Sequence, residues 1–205
     1  HIAEKFNKLA KGEINRLIVN MPPRHTKSEF ASFLLPSWMV GRNPKLKIIQ
    51  TTHNAELAVR FGRKAKNLID SEDYQKIFKT TLQEDSKAAG RWETSQGGEY
   101  FAAGVGGAIT GRGADLLIID EWYTSGPRQR LQPGGKIVLV MTRWSTRDLT
   151  GKLIANQKEP KSDQWHVVEF PALMEHGPVW PEYWQQDELE KVKATLPVGK
   201  WNAQW

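Results

Sequence analysis

The sequence predicts an α/β fold: a mostly parallel sheet with helices on both faces. Short apolar or β-branched runs alternate with helical patterns along the chain, the signature of strands joined by helical crossovers. Most of these runs are apolar at consecutive positions, as strands buried on both faces are. A balance of 39% apolar and 25% charged residues over 205 positions is that of an ordinary globular chain, and one domain with a small appendage is the expectation.

Each element follows from local pattern. A helix is predicted over 2–11 and a strand over 17–20, where Leu17, Ile18 and Val19 lead to the proline pair Pro22-Pro23. A helix over 28–39, a strand over 47–51 and a helix over 54–69 come next. From Thr94 to Gly113 the texture changes to "TSQGGEYFAAGVGGAITGRG", whose seven glycines precede a strand instead of following one. A dinucleotide fingerprint needs its glycines between strand and helix, so this segment reads as a hairpin or a set of tight turns. Strands over 116–120 and 136–142, a helix over 147–157, a strand over 166–170 and a helix over 187–195 complete the pattern.

Composition removes several function classes. The chain has no cysteine, which excludes disulfides, thiolate zinc sites and cysteine nucleophiles. No apolar run approaches the roughly 20 residues of a membrane span, and the opening "HIAEKFNKLAKGE" is not a secretory signal, so no membrane role is expected. The net charge of +6 permits a polyanionic partner such as nucleic acid. The densest basic run, "RFGRKAKNLID" from Arg60, lies in a helical pattern and reads as a solvated face. His1 in place of a start methionine and the apolar end "KWNAQW" read as a fragment cut at both ends.

Three stretches carry chemistry. "LIVNMPPRHTKSEFASFLL", residues 17–35, is a strand, a loop and a helix start, with Lys27-Ser28 where a phosphate-binding loop of the form G-x-x-x-x-G-K-[ST] places its lysine and hydroxyl. Met21 and Thr26 occupy the two glycine positions. The simpler reading makes Ser28 or Thr26 a helix N-cap. "GADLLIIDE", residues 113–121, is a buried strand ending in Asp120-Glu121, the form of a Walker B strand. A carboxylate there is costly unless it orients a magnesium shell, and its neighbour can polarise a water. Both motifs are expected on neighbouring buried strands. "IVLVMTRWSTRDLTGKL", residues 137–153, ends its strand in Thr142-Arg143, at the edge where polar groups can feel a terminal phosphate.

"MPPRHTKSE", "ITGRGADLLIID", "QPGGKIVLVMTRWSTRDLTGKL" and "VWPEYW", in that order, resemble the ATPase domain of the large terminase subunit of tailed bacteriophages and prophages. The resemblance runs from near residue 10 to the C-terminus. It implies an additional-strand, RecA-like P-loop NTPase over 1–175, with 176–205 as a linker or subdomain leading towards a C-terminal nuclease domain. The family's loop commonly reads P-P-R-H-G-K-S, so the missing first glycine is usual there, while Thr26 departs from it. By position, the resemblance implies that Pro22, Pro23, Arg24, His25, Thr26, Lys27 and Ser28 wrap the phosphates of ATP. It further implies that Ser28 and Asp120 hold Mg²⁺, that Thr142 belongs to the coupling motif, and that Glu121 and Arg24 act in catalysis. In relatives a longer segment separates the Walker B carboxylates from the counterpart of "EWYTSGPRQRLQPGG".

Two features keep two readings. Arg112, in a Gly-Arg-Gly turn and expected to be exposed, is either a structural arginine or a finger reaching a neighbouring subunit's nucleotide. Trp180, Trp184, Trp201 and Trp205 fit packing of a terminal subdomain better than base stacking. What the resemblance implies is an ATP hydrolase driving double-stranded DNA into a procapsid, as a homo-oligomeric ring working with the portal and a small terminase subunit in the bacterial cytoplasm. Nuclease activity is not expected of these residues, since nothing after Phe170 supplies a strand-borne acidic set. The alternatives are a helicase-like or recombinase-like P-loop ATPase, and a nucleotide-binding assembly module without turnover.

Overall fold

The computed structural model describes residues 1–104, 109, 111–121 and 128–205. Gly106, Gly107 and most of the "EWYTSG" stretch therefore lie outside the described residues. Among those described, the strands of the main sheet are β1 (Arg16–Asn20), β2 (Lys47–Thr52), β3 (Leu82–Ala88), β4 (Arg91–Thr94), β5 (Glu99–Gly104), β6 (Ala114–Asp120), β7 (Leu131–Met141) and β8 (His166–Glu169). They form one sheet in the order β3-β4-β5-β2-β6-β7-β1-β8, parallel from β5 to β8 and antiparallel at the β3-β4-β5 edge.

The expected mostly parallel sheet is thus present, with one correction to its order. β1 and β6 are not neighbours, because β7 lies between them and pairs with both. Strand order is a property of long-range pairing, which local pattern does not encode. Register levels the edge that matters: Asn20 pairs with Met141, Asp120 with Val140, and Thr52 with Asp120. The carboxyl ends of β1, β7, β6 and β2 therefore form one rim.

Both faces of the sheet are buried, with strand residues alternating between them. Leu17, Val19, Leu116, Ile118, Val138 and Val140 face one core, filled by Phe6 and Leu9 of α1 (Ile2–Lys11), by Leu35 and Met39 of α2 (Leu35–Arg42), and by Ala65 and Ile69 of α3 (Ala55–Ile69). Ile18, Ile49, Leu117, Ile119, Ile137 and Leu139 face the other, under Leu149 and Leu153. The helix expected over 28–39 is π-helical from Glu29 to Leu34 before α2 begins. Pro36 accounts for the local irregularity: it has no N–H, and its ring crowds the carbonyl four residues back, at Ser32. The N–H of Leu35 donates instead to Phe30, five residues earlier.

β3, β4 and β5 were not legible as sheet strands. β3 reads "LQEDSKA", a polar edge, and β4 and β5 form the hairpin expected of the glycine-rich segment while β5 also extends the parallel sheet. The short helix α4 (Glu72–Ile77), capped by Ser71 on the N–H of Tyr74, was likewise not expected. Beyond β7 come α5 (Leu149–Asn156), α6 (Gln186–Thr195) and α7 (Val198–Gln204). Ala172, Leu189 and Trp201 make a third, small core with Trp184, Leu196 and Trp205 at its border. Among the described residues no helix is long and apolar enough to cross a membrane.

The hairpin is held to α3 by close backbone approach. Trp92 stacks on Tyr100 at 4.8 Å and donates its indole N–H to the carbonyl of Gly62. A Cβ at Gly62 would lie 2.5 Å from the carbonyl oxygen of Ala89. Gly62→Ala should therefore destabilise the fold by about 1–3 kcal/mol through overpacking, against the helix propensity that alanine brings; urea denaturation measures it.

Candidate functional site

The rim at the carboxyl ends of β1, β6 and β7 gathers most of the residues singled out in the sequence. The loop from Met21 to Ser28 leaves β1 between Pro22, which is buried, and the helix that starts at Glu29. Without glycines it still takes left-handed backbone conformations, at Arg24 (φ 60°) and Thr26 (φ 58°). L-residues reach that region at a cost of roughly 1–3 kcal/mol each. The surroundings hold the loop there. His25, 2% exposed, places Nδ1 2.9 Å from the carbonyl of Pro23, and its ring stacks on Trp184 and meets Trp205 edge-on.

Neither hydroxyl at the helix start behaves as a cap. Ser28 makes no capping bond, and Thr26 donates to the carbonyl of His25 at 2.7 Å. Ser28 instead turns to the carboxyl of Asp120, and Ser32, one turn on along the same helix face, donates to Asp120 Oδ2 at 2.9 Å. Asp120 is almost fully buried, and burial pushes its carboxyl above the ordinary range; the two serines and Lys27 oppose that, and Glu121 reinforces it. Lys27, 8% exposed, lies 2.9 Å from Glu121 Oε1. Glu121 is itself left-handed (φ 62°), its N–H anchored on the carbonyl of Val140. Arg24, Thr26 and Glu121 are the non-glycine residues at positive φ among those described, and all three belong to this cluster. Backbone strain clusters at ligand-binding and catalytic sites, which makes this rim the candidate site.

The donor set suits a small hard cation. Mg²⁺ typically takes one or two carboxylates, keeps several waters and completes its shell with phosphate oxygens. One buried carboxylate beside a serine hydroxyl matches that better than a closed cage would, and among the described residues there is no cluster of three acidic or histidine side chains. Thr142 is buried at the end of β7, between the two motif strands. Arg24 is exposed at the loop's outer side, where it can meet an anion.

One expectation about Arg112, its exposure, is corrected. It is only 22% exposed and stands at the start of β6, eight residues before Asp120, roughly 25 Å away along an extended strand. Its guanidinium pairs with Glu99 and sits 4.3 Å over the ring of Phe101. The structure gives it a place tying β5 to β6 at the opposite edge, outside the cluster.

Two contributors escaped the sequence reading. Ser32 was legible in principle, four residues after Ser28 and so on the same helix face. Asn20 was not. Buried at the end of β1, it donates to Glu169 at 2.9 Å and accepts from Thr150 at 3.1 Å, while Arg143 bridges Glu169 and Asp148, each at 2.9 Å. This network braces the rim on the β8 side.

No protein-family model and no curated protein sequence matches this chain. Solved structures do. The large terminase of bacteriophage HK97 superposes with a TM-score of 0.67 at 14% identity over 96% of this chain. The large terminase of a thermophilic bacteriophage gives 0.64 in complex with ADP and 0.58 in complex with ATP-gamma-S, at 11% identity over 97% of the chain. This chain has the large-terminase fold. It spans about half of the terminase chains it matches, 48% of the HK97 protein and 53% and 52% of the thermophilic phage's protein in its two complexes. In this fold β7 is the additional strand, set between β1, which leads into the loop, and β6, which ends in the acidic pair.

Two outcomes follow from this geometry. Thr26→Gly should relieve the left-handed backbone and raise stability by about 1 kcal/mol net of the entropy glycine adds to the unfolded chain; urea unfolding reads it, and a loss would show that the threonine side chain does more than tolerate its conformation. Burial holds the His25 imidazole below its ordinary value of 6.5, with Lys27 adding to that and the Pro23 carbonyl opposing it. The folded state therefore binds this proton less well than the unfolded chain, so the contribution is complete above the unfolded value and is lost as pH falls below about 6.5. Unfolding free energy measured between about pH 5 and 8 should fall on acidification more steeply in the parent than in His25→Gln.

Proposed function

We propose that this chain is the ATP-hydrolysing motor portion of a large-terminase-type protein, which couples Mg·ATP hydrolysis to movement of double-stranded DNA. The observation that carries the reading is the convergence of Lys27, Ser28, Asp120 and Glu121 on one rim, with strained backbone at Glu121 itself and at Arg24 and Thr26 in the adjoining loop. The fold shared with a terminase solved with ADP and ATP-gamma-S supports it.

In this reading the loop's N–H groups and the start of the helix at Glu29 bind the phosphates. Lys27 takes the β- and γ-phosphates, and Ser28 and Asp120 hold Mg²⁺, which when bound neutralises charge building on the phosphates. Glu121 now neutralises Lys27, so an arriving phosphate competes for the same ammonium and leaves the Glu121 carboxylate to orient water. Thr142 reports the state of the terminal phosphate to β7, and Arg24 meets the phosphates from outside. The net charge of +6 fits a nucleic-acid partner. Double-stranded DNA, a portal-bearing procapsid, a small subunit, a homo-oligomeric ring and the cytoplasm of a bacterial host belong to the same proposal. It assigns ATP turnover, and not DNA cleavage, to these residues.

Lys27→Ala should lower ATP hydrolysis by about 10²–10³-fold, and turnover at the parent rate would remove the assignment. Glu121→Gln should bind ADP at least as tightly as the parent, because the competing carboxylate is gone, while losing about 10²–10⁴ in turnover. Nucleotide binding without turnover in the parent itself would identify an assembly module instead.

A further inference from the structure

Ser32 lies on the π-helical segment Glu29–Leu34 and is fully buried. Its hydroxyl donates to Asp120 Oδ2 at 2.9 Å, joining two residues 88 positions apart. We propose that Ser32 is a positioning residue for the metal site: it holds one oxygen of Asp120, so that the carboxylate presents the other to Mg²⁺ beside Ser28. The inference rests on the nucleotide reading of the rim.

The helix does not need this bond for itself. A serine inside a helix can donate to the carbonyl one turn back, as Ser37 does to Phe33 at 2.7 Å. Ser32 gives its one hydrogen to the sheet instead. Depth separates its role from that of Ser28, which also bonds to the Asp120 carboxyl. Ser28 is partly exposed at the start of the helix, where a cation can arrive with its waters. Ser32 is sealed from solvent one turn further on, out of reach of a hydrated ion, and so acts through Asp120 alone.

The need for such a hold comes from the neighbouring charge. Lys27 is buried, acts electrostatically on Asp120 and pairs with Glu121 at 2.9 Å. An Asp120 free to rotate would turn towards that ammonium, withdrawing the carboxylate from the metal and the lysine from the phosphates. With Oδ2 fixed on Ser32 the plane of the carboxylate is set. Mg²⁺ accepts little departure from octahedral geometry, so a ligand already oriented by its hydrogen bond suits it.

Calorimetry of ADP binding, in EDTA and at stepped Mg²⁺ concentrations, tests the assignment. Ser32→Ala should bind ADP in EDTA within about twofold of the parent, while the Mg²⁺ concentration giving half of the metal's effect rises about 10–100-fold. Ser32→Cys refills the volume but donates weakly; it should follow Ser32→Ala, and a cooperative thermal transition will show that it is folded. An unchanged Mg²⁺ requirement, or equal weakening with and without the metal, overturns the positioning role. So does parent-like behaviour of Ser32→Cys beside a defective Ser32→Ala, which would assign the effect to packing. A parent that binds no ADP would sink the nucleotide reading, and one that binds ADP indifferently to Mg²⁺ would sink the metal assignment; either takes this inference with it, and each is told apart by the parent's own titrations.

Discussion

A carboxyl group at the end of a fully buried strand is the constraint around which this rim is built. Removing an ionised carboxylate from water costs several kcal/mol unless neighbours make up the loss, and Ser32, Ser28 and Lys27 offset part of that cost at Asp120. The hydroxyls reach it only if the helix sits in one rotational setting. Pro36 and the π-helical turn before it fix that setting, so an apparent flaw in the helix aims two serines at the sheet. The loop between β1 and the helix must then close a fixed gap without glycines.

That closure explains why the strain lies where it does. Left-handed conformations at Arg24, Thr26 and Glu121 together amount to a sizeable fraction of the 5–15 kcal/mol that stabilises an ordinary domain. They persist because more distant packing determines them. Trp184 and Trp205 hold His25 from the C-terminal side, and Trp201 and Leu189 anchor that aromatic group in its own small core. Residues far along the chain thus set the shape of a loop near its start, and Trp184, Trp201 and Trp205, which invite a base-stacking interpretation, do their packing here.

The legible part of the fold was the part that local chemistry specifies. β1, β2, β6 and β7 announce themselves as apolar runs because both of their faces are buried, β8 at the sheet edge by its Val167-Val168 pair, and the lysine-serine and aspartate-glutamate pairs announce themselves because buried polar groups at strand ends need a reason. The edge strand β3 and the short β4 beside it carry few such constraints and read as polar loop. The placement of β7 between the two motif strands, the reach of Ser32 to Asp120 and the capture of Arg112 by Glu99 and Phe101 all depend on pairings between distant residues, which no window of sequence contains. Arg112 shows the hazard most plainly: a glycine-flanked arginine suggests exposure, whereas its partner Glu99 stands thirteen residues earlier on β5, beyond the intervening β2.

Two aspartates on the same rim show how structure compensates one buried carboxylate and leaves another short. Burial acts to raise both. At Asp148 it is outweighed by the N–H groups of Gly151, Trp144 and Ser145 and by the Arg143 guanidinium, so its carboxyl lies below the ordinary range and caps α5 as a settled anion. At Asp120 the hydroxyls and Lys27 fall short, the adjacent Glu121 opposes ionisation further, and the carboxyl stays above the ordinary range. The fold satisfies Asp148 from within and leaves Asp120 undercompensated, and in the proposed function a cation would make good that shortfall.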